Sequence, residues 1–222
     1  MKFENTEVWG FEHAIRGMRN PLESWDKSDS YRNIDIYKIG KNDLQLCKRL
    51  INAGTEHRKF LRQIFVSVDI EAPLYFWKEF DTYKIGTTAN SCSTMHKLVD
   101  KPITKDCFEM TNFNNCKLKG VLFDDLIKVG YNYAIHEIWK GLIDTLETLR
   151  QTYLETKDKR YWKELIRLLP ESWLQKRTIT LNYENVINMY KQRKNHKLTE
   201  WSKDFIEWCE NLPYFKEFFL ED

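Results

Sequence analysis

Asn182, Asn188, Arg193 and His196 fall on or just beyond one predicted helix near the end of the chain. Asn182 and Arg193 are eleven residues apart, about three helical turns, so they share a face. Arg193 offers a planar fork of donors that suits a carbonyl, a phosphate or the edge of a uracil ring. A second reading stands beside it: Arg193 with Lys191 and Lys194 forms a solvated basic helix end, stabilised by the helix dipole. The other stretch with chemical capacity is Gly86 to Thr94, GTTANSCST. It is poor in core-forming side chains and rich in hydroxyls and amides that can bind a polar ligand. Cys92 stands there between Ser91 and Ser93. To act as a nucleophile it needs a base or a helix N-terminus to make it a thiolate, and no sequence neighbour supplies one. His13, His57, His96, His136 and His196 are scattered without metal-ligand spacing. His136, inside a long helical pattern, reads as a partly buried polar residue. No phosphate loop, dinucleotide fingerprint, zinc-protease motif or nucleophile elbow occurs.

Composition narrows the class. A chain of 222 residues is long enough to bury a substantial core, and the absence of repeats or low-complexity linkers argues for one domain. Hydrophobic content of 42% with 31% charge describes a soluble globular protein. The net charge is +2 with acids and bases interleaved, so no nucleic-acid stripe stands out. Aromatics at 14% exceed what a minimal core needs; most read as core side chains, and some are available to line a ligand site. The five cysteines are odd in number and contain no C-x-x-C pair. That argues against a disulfide framework or a zinc site and for a reducing cytoplasm. No apolar run reaches membrane-spanning length, and nothing resembles a signal peptide.

Positioning these groups requires a set of elements. Residues 3–10 read as a first strand and 11–18 as a short helix, stopped by Gly17 and the Asn20-Pro21 pair. Ser24 to Ser30 is polar around Trp25, either a solvated loop or one that docks as a lid or subunit contact. Asn42 or Asp43 is placed to cap a helix whose Leu44, Cys47, Leu50 and Ile51 share a face, with Gly54 at its end. Ile64 to Ile70 alternates as a half-buried strand. Ala72-Pro73 is expected to end that strand and open an aromatic-rich helix, Leu74 to Tyr83. Residues 99–120 read as an irregular surface excursion. Leu122 to Leu169 is helical, broken near Lys157 to Lys159 and closed by Pro170. Thr178 to Leu181 is a short β-prone run or a helix entry, and Asn182 caps a helix reaching Arg193. Thr199 opens a further amphipathic helix with Phe205, Ile206, Cys209 and Leu212 facing inward.

In this order the segments resemble the flavin-dependent thymidylate synthases. That family's signature, R-H-R-x-x-S-x-N-x-x-S-x-R, follows a strand, an Ala-Pro and an aromatic helix. Here the strand 64–70, Ala72-Pro73 and the helix Leu74 to Phe80 precede Thr88-Ala89-Asn90-Ser91-Cys92-Ser93, so the S-x-N-x-x-S core stands as T-x-N-x-x-S. Upstream, Glu56-His57 resembles the family's histidine-bearing segment. Downstream, Leu169-Pro170 and Thr180-Leu181-Asn182 follow in order, and Arg193 stands eleven residues after the asparagine, as in the family. The departures are specific. Both arginines of R-H-R are missing and only Lys84 substitutes for one. The last motif arginine is Met95; the arginine before Leu-Pro is Ile166, with Arg167 beside it; the arginine two after Asn182 is Glu184. The chain therefore resembles a diverged branch.

The resemblance implies an α+β fold with a mixed sheet flanked by long helices. It implies FAD as cofactor, NADPH and methylenetetrahydrofolate as co-substrates, dUMP or a related pyrimidine nucleotide as methyl acceptor, and a homotetramer. It assigns Ser91, Ser93, Arg167 and Arg193 to substrate and His57, Lys84, Asn90, Asn182 and Asn188 to cofactor, with no metal, and it leaves the catalytic side chains open. The lost arginines favour an alternative on the same fold: a nucleotide-binding protein without redox chemistry, sequestering or sensing its ligand, for instance in a bacteriophage. A structural role with no pocket is a third reading.

Overall fold

The computed structural model describes residues 1–34, 36–110 and 131–221. Part of the expected irregular run and the first turns of the expected long helix, with Leu126 and Val129, lie outside the described residues. Six strands are present among them: β1 (Lys2–Trp9), β2 (Tyr31–Asn33), β3 (Ile36–Lys38), β4 (Phe65–Pro73), β5 (Thr88–Ser91) and β6 (Leu174–Asn182). The helices are α1 (Phe11–Met18), α2 (Lys41–Asn52), α3 (Leu74–Phe80), α4 (Tyr131–Thr156), α5 (Lys159–Leu168), α6 (Tyr183–Arg193), α7 (Ile206–Glu210) and α8 (Phe215–Phe219). Four strands form one sheet in the order β1-β4-β6-β5, and β2 pairs antiparallel with β3. This is an α+β architecture. The chain divides into two compact units. One comprises Met1–Glu71, Lys78–Asn90 and Lys176–Asp222, and the other Ala72–Trp77 and Ser91–Gln175.

In the first unit β4 supplies the alternation that the sequence predicts. Val66, Val68 and Ile70 are buried, while Phe65, Ser67, Asp69 and Glu71 face the other way. β1 lies antiparallel to it, with Val8 opposite Val66 and Lys2 opposite Glu71. The outward face is polar and charge-laced. Lys2 pairs with Glu71 at 2.9 Å, Lys176 with Glu4 at 2.8 Å, and Thr178 donates to Asp69 at 2.6 Å. On α1 the buried residues Phe11, Ala14, Ile15 and Met18 follow helical spacing and form one apolar stripe. Leu46, Cys47 and Ile51 of α2, Val186, Ile187 and Met189 of α6, and Trp201, Phe205, Phe215 and Phe218 complete the core. Each such large side chain contributes about 1.5–3 kcal/mol on burial.

Asn42 and Asp43 do not cap α2. Its N-cap is Gly40, and the backbone N–H groups of Asn42 and Asp43 donate to the Asp29 carboxylate at 2.8 and 3.1 Å. A Cβ on Gly40 would meet that carboxylate carbon at 2.2 Å, so only glycine fits beneath it. Asp43 is instead a fully buried hub. It accepts from Arg19 Nε at 2.6 Å, Ser28 Oγ at 2.7 Å, Ser30 Oγ at 2.6 Å and the Ser30 N–H at 3.0 Å. Burial pushes the carboxyl up, but the Ser30 and Ser28 hydroxyls and Arg19 outweigh it and hold it below the ordinary value. The Ser24 to Ser30 segment is therefore wrapped on Asp43 rather than solvated throughout, although Trp25 remains half exposed.

Other boundaries also move. Ala72-Pro73 ends β4 rather than opening the helix; α3 begins at Leu74 and stops at Phe80, short of Tyr83. In the second unit its first N–H groups are satisfied by the carbonyls of Trp173 and Glu171, so no side-chain cap is needed. β5 lies inside the stretch expected to be loop, and β6 is nine residues long where a four-residue run is predicted. The last predicted helix begins as a π-helical segment, Glu200–Phe205, before α7. The second unit is built on α4 and α5, joined at Lys157 with φ 56° and capped by Asp158, which accepts from the Arg160 N–H at 2.9 Å. Leu98, Ile103, Phe108, Leu146 and Leu165 form its core. His136 is exposed on α4, not partly buried.

Candidate functional site

The α6 helix organises the candidate site in the first unit. The chain leaves β6 at Asn182, whose side chain accepts from the Asn185 N–H at 3.0 Å, as its predicted cap role requires. The Tyr183 N–H donates to the Ile64 carbonyl at 3.0 Å, and Tyr183, Val186, Ile187 and Met189 are buried. The helix is therefore fixed in rotation, and its remaining faces hold two polar assemblies.

One assembly involves Arg58. Its Nε lies 3.1 Å from both oxygens of Glu184, Nη2 donates to Glu184 Oε1 at 2.9 Å, and Nη2 reaches Asn188 Oδ1 at 3.4 Å. Glu184 and Asn188 stand four residues apart, so one guanidinium spans both. Glu184 sits in the first turn of α6, where the helix dipole favours a carboxylate.

The second assembly involves Arg193 and the segment after α3. Arg193 Nε donates to the Tyr83 hydroxyl at 2.7 Å, and Nη1 donates to Glu79 Oε2. The Tyr83 hydroxyl donates in turn to Gln192 Oε1 at 2.9 Å. The guanidinium carbon lies 4.7 Å from the Trp201 ring centroid and 5.3 Å from that of Tyr83. His196 Nε2 is 3.2 Å from the same Glu79 oxygen, while His196 Nδ1 accepts from the Leu198 N–H at 3.2 Å. This pattern assigns the ring hydrogen to Nε2. Arg193 is thus embedded, with its side chain 16% exposed. The solvated-helix-end reading gives way because partners more than a hundred residues distant in sequence close over it.

The turn following Tyr83 is fastened at the other end of α6. Asn185 Nδ2 donates to the Ile85 carbonyl at 2.7 Å. Gly86 has φ +74°, and a Cβ there would meet Asn185 Oδ1 at 2.8 Å and Asn182 Nδ2 at 3.2 Å. Glycine is required here both for the left-handed backbone and for the close approach. Asn185 Oδ1 is buried without a hydrogen-bond partner among the described residues. Lys84, in the same turn, is exposed.

The structure therefore brings together Lys84, Asn182, Asn188 and Arg193 around one helix. His57 is exposed next to Arg58, with its backbone N–H bonded to the Gly54 carbonyl at 3.0 Å. Asn90 is exposed on β5. Ser91, Ser93 and Arg167 belong to the second unit. There Ser91 is exposed, Ser93 Oγ accepts from the His96 N–H at 3.0 Å, and Arg167 pairs with Glu164 on α5. Sequence reasoning gave no site role to Arg58, Glu79, Tyr83, Asn185 or Trp201, although Arg58 stands in the polar cluster Glu56-His57-Arg58 and Tyr83 falls on the R-H-R segment. The available signals were a Glu-x-x-x-Asn pair in α6 and the aromatic Tyr83 beside the motif lysine. Among the described residues no cluster of His, Cys, Asp and Glu could hold a metal ion. No described helix is long and apolar enough to cross a membrane.

Comparison with solved structures places this architecture. The flavin-dependent thymidylate synthase ThyX from Helicobacter pylori, complexed with FAD and dUMP, matches over 100% of this chain and 99% of its own, with TM-score 0.68 and 18% identity. The chain has the fold of a flavin-dependent thymidylate synthase. A second structure of the Helicobacter pylori enzyme with FAD and dUMP matches over 100% of this chain and 98% of its own, with TM-score 0.66 and 18% identity. No protein-family model and no curated protein matches the sequence. The α+β fold expectation thus holds, at low sequence identity.

Proposed function

We propose that the protein is a flavin-dependent thymidylate synthase-like enzyme that methylates dUMP or a related pyrimidine nucleotide, with methylenetetrahydrofolate as carbon donor and NADPH as reductant. One observation carries the reading: the two segments that resemble the family's motifs, the turn after α3 and the helix α6, are fastened to each other at Asn185 and at Arg193. Flavin and pyrimidine rings both present an imide N–H between carbonyls. The partnerless acceptor Asn185 Oδ1 beneath Gly86, beside the amide of Asn182, fits such an edge. His57, Lys84, Asn90, Asn182 and Asn188 would hold FAD, and Ser91, Ser93, Arg167 and Arg193 would hold the nucleotide. FAD, when bound, supplies the redox chemistry; the protein supplies position and electrostatics. Arg193 has Nη2 left to donate once Nε and Nη1 are engaged by Tyr83 and Glu79.

A specific observation supports the second reading, a nucleotide-binding protein that sequesters or senses its ligand, as a bacteriophage protein could. Arg58 and Arg193 each already hold a carboxylate, Glu184 and Glu79. Phosphates are usually bound by cations free to pair with them, and Lys84 is the exposed cation of this turn. The proposal extends to one synthase-like domain per chain, assembled as a homotetramer in the cytoplasm, without nucleic-acid or membrane partners. Exposed Leu22, Trp25, Tyr31, Ile34 and Ile36 in the first unit support assembly. The test supplies purified protein with FAD, NADPH, methylenetetrahydrofolate and dUMP. A retained flavin spectrum and dTMP detected by mass spectrometry support the enzyme. A colourless protein that binds dUMP without turnover supports the second reading, and a protein that does neither refutes both.

A further inference from the structure

Arg193 holds Tyr83 rather than standing open, and Tyr83 begins the turn that carries Lys84. The hydroxyl of Tyr83 is a joint between two α6 side chains, accepting from Arg193 Nε at 2.7 Å and donating to Gln192 Oε1 at 2.9 Å. Glu79 braces the guanidinium from the end of α3, and His196 braces Glu79 through Nε2 at 3.2 Å. Trp201, wholly buried in the π-helical segment, closes the stack 4.7 Å from the guanidinium carbon. At the other end of the turn, Asn185 holds the Ile85 carbonyl at 2.7 Å and Gly86 lies against Asn182 and Asn185. Residues 83–86 are therefore tied down on both sides of Lys84, although the Lys84 and Ile85 side chains are themselves exposed, the latter at 90%. Two ties around Lys84 fix where its backbone sits, and the exposed ammonium on its flexible stem is left free to meet a ligand within reach. Among the described residues Lys84 has no carboxylate partner, in contrast to Arg58 and Arg193.

We propose that Arg193 is a positioning residue: with Glu79 and His196 it clasps Tyr83, and through Tyr83 it sets Lys84 toward the phosphate of a bound pyrimidine nucleotide. This rests on the nucleotide reading above and departs from its residue assignments at two points: Lys84 meets the nucleotide phosphate rather than FAD, and Arg193, engaged by Tyr83 and Glu79, holds the turn rather than touching the ligand. Fixing the turn before binding removes an ordering cost that the ligand would otherwise bear.

The test uses the full chain as wild type, Tyr83→Phe, Lys84→Ala and the double variant. Tyr83→Phe deletes the joint but keeps the ring, the Arg193–Glu79 pair and the Trp201 stack. Its melting temperature should therefore fall by only about 2–4 °C, the shift for about 1 kcal/mol in a chain of this size. Amide hydrogen exchange over residues 84–87 should be about tenfold faster than in wild type, the change produced by about 1.4 kcal/mol of lost local stability. Calorimetric titration should show dUMP affinity about three- to tenfold weaker in Tyr83→Phe and in Lys84→Ala, with the double variant no weaker than Lys84→Ala alone. Deoxyuridine, which lacks the phosphate, should bind all four proteins equally. Multiplicative losses in the double variant, or an equal loss for deoxyuridine, would overturn the proposal while leaving the nucleotide reading in place. Unchanged exchange in Tyr83→Phe would overturn the clasp itself. If wild type binds neither dUMP nor deoxyuridine, the nucleotide reading fails and this assignment fails with it.

Discussion

Replacing Arg193 with alanine separates an embedded clasp from a solvated helix end. The substitution removes the bond to Tyr83 at 2.7 Å, the pair with Glu79 and the stack on Trp201 at 4.7 Å. A hydrogen bond to a charged group contributes about 1.5–3 kcal/mol when buried. Here Arg193 is 16% and Glu79 33% exposed, so solvent screening reduces the two bonds together to about 2 kcal/mol. The cation–π contact adds about 0.5–1 kcal/mol. The expected loss is about 2–3 kcal/mol, or a melting temperature lower by about 4–12 °C. A basic residue that merely complements a helix terminus is worth about 0.3–1 kcal/mol. Thermal and urea unfolding of wild type and Arg193→Ala, followed by circular dichroism, distinguish the two. A loss of about 1 kcal/mol or less would refute the clasp and return Arg193 to the solvated end of α6. Arg193→Lys should recover less than half of the loss, because a lysine cannot serve Tyr83 and Glu79 with the same planar fork.

Asp43→Asn should destabilise the protein by about 3–5 kcal/mol in urea unfolding, because it leaves the buried Arg19 guanidinium without its counter-charge. Glu147 is held at about 2 by its hydrogen bond from Arg150, helped by the Ile103 N–H, against an ordinary value of 4.5. The folded value lies below the unfolded one, so this stabilisation is complete above about pH 5 and disappears as pH falls toward 2. Acid titration of stability should therefore lose about 1–2 kcal/mol of its slope over that window in Glu147→Gln. Multi-angle light scattering at micromolar concentration should return the mass of a homotetramer, and a monomer would contradict the proposed assembly.

The parts of the site that depend on local chemistry were legible. Asn182 reads as an N-cap because the cap is a contact between residues three apart, and the structure keeps it. The alternation in β4 was legible because burial on one face leaves a period in the sequence, and the short helix α1 was legible from its flanking stop signals. The rest depends on partners far along the chain. Arg193 looks solvated beside Lys191 and Lys194 because Glu79 and Tyr83 are more than a hundred residues away in sequence. Asp43 looks like a cap because nothing local announces Arg19, Ser28 and Ser30. β5 carries Thr-Ala-Asn-Ser, four exposed residues with no apolar alternation, and it is a strand because β6 pairs with it. Glu184 stands where the resemblance has an arginine, and its reason appears only when Arg58 is seen closing on it.

Titration of dUMP into the purified, FAD-loaded protein, followed through the flavin absorption bands, tests the pyrimidine-nucleotide site most directly. The expected result is retained flavin whose spectrum shifts saturably with dUMP, and a weaker response in Lys84→Ala. A protein that cannot be loaded with FAD, and that gives no calorimetric signal with dUMP, would contradict it.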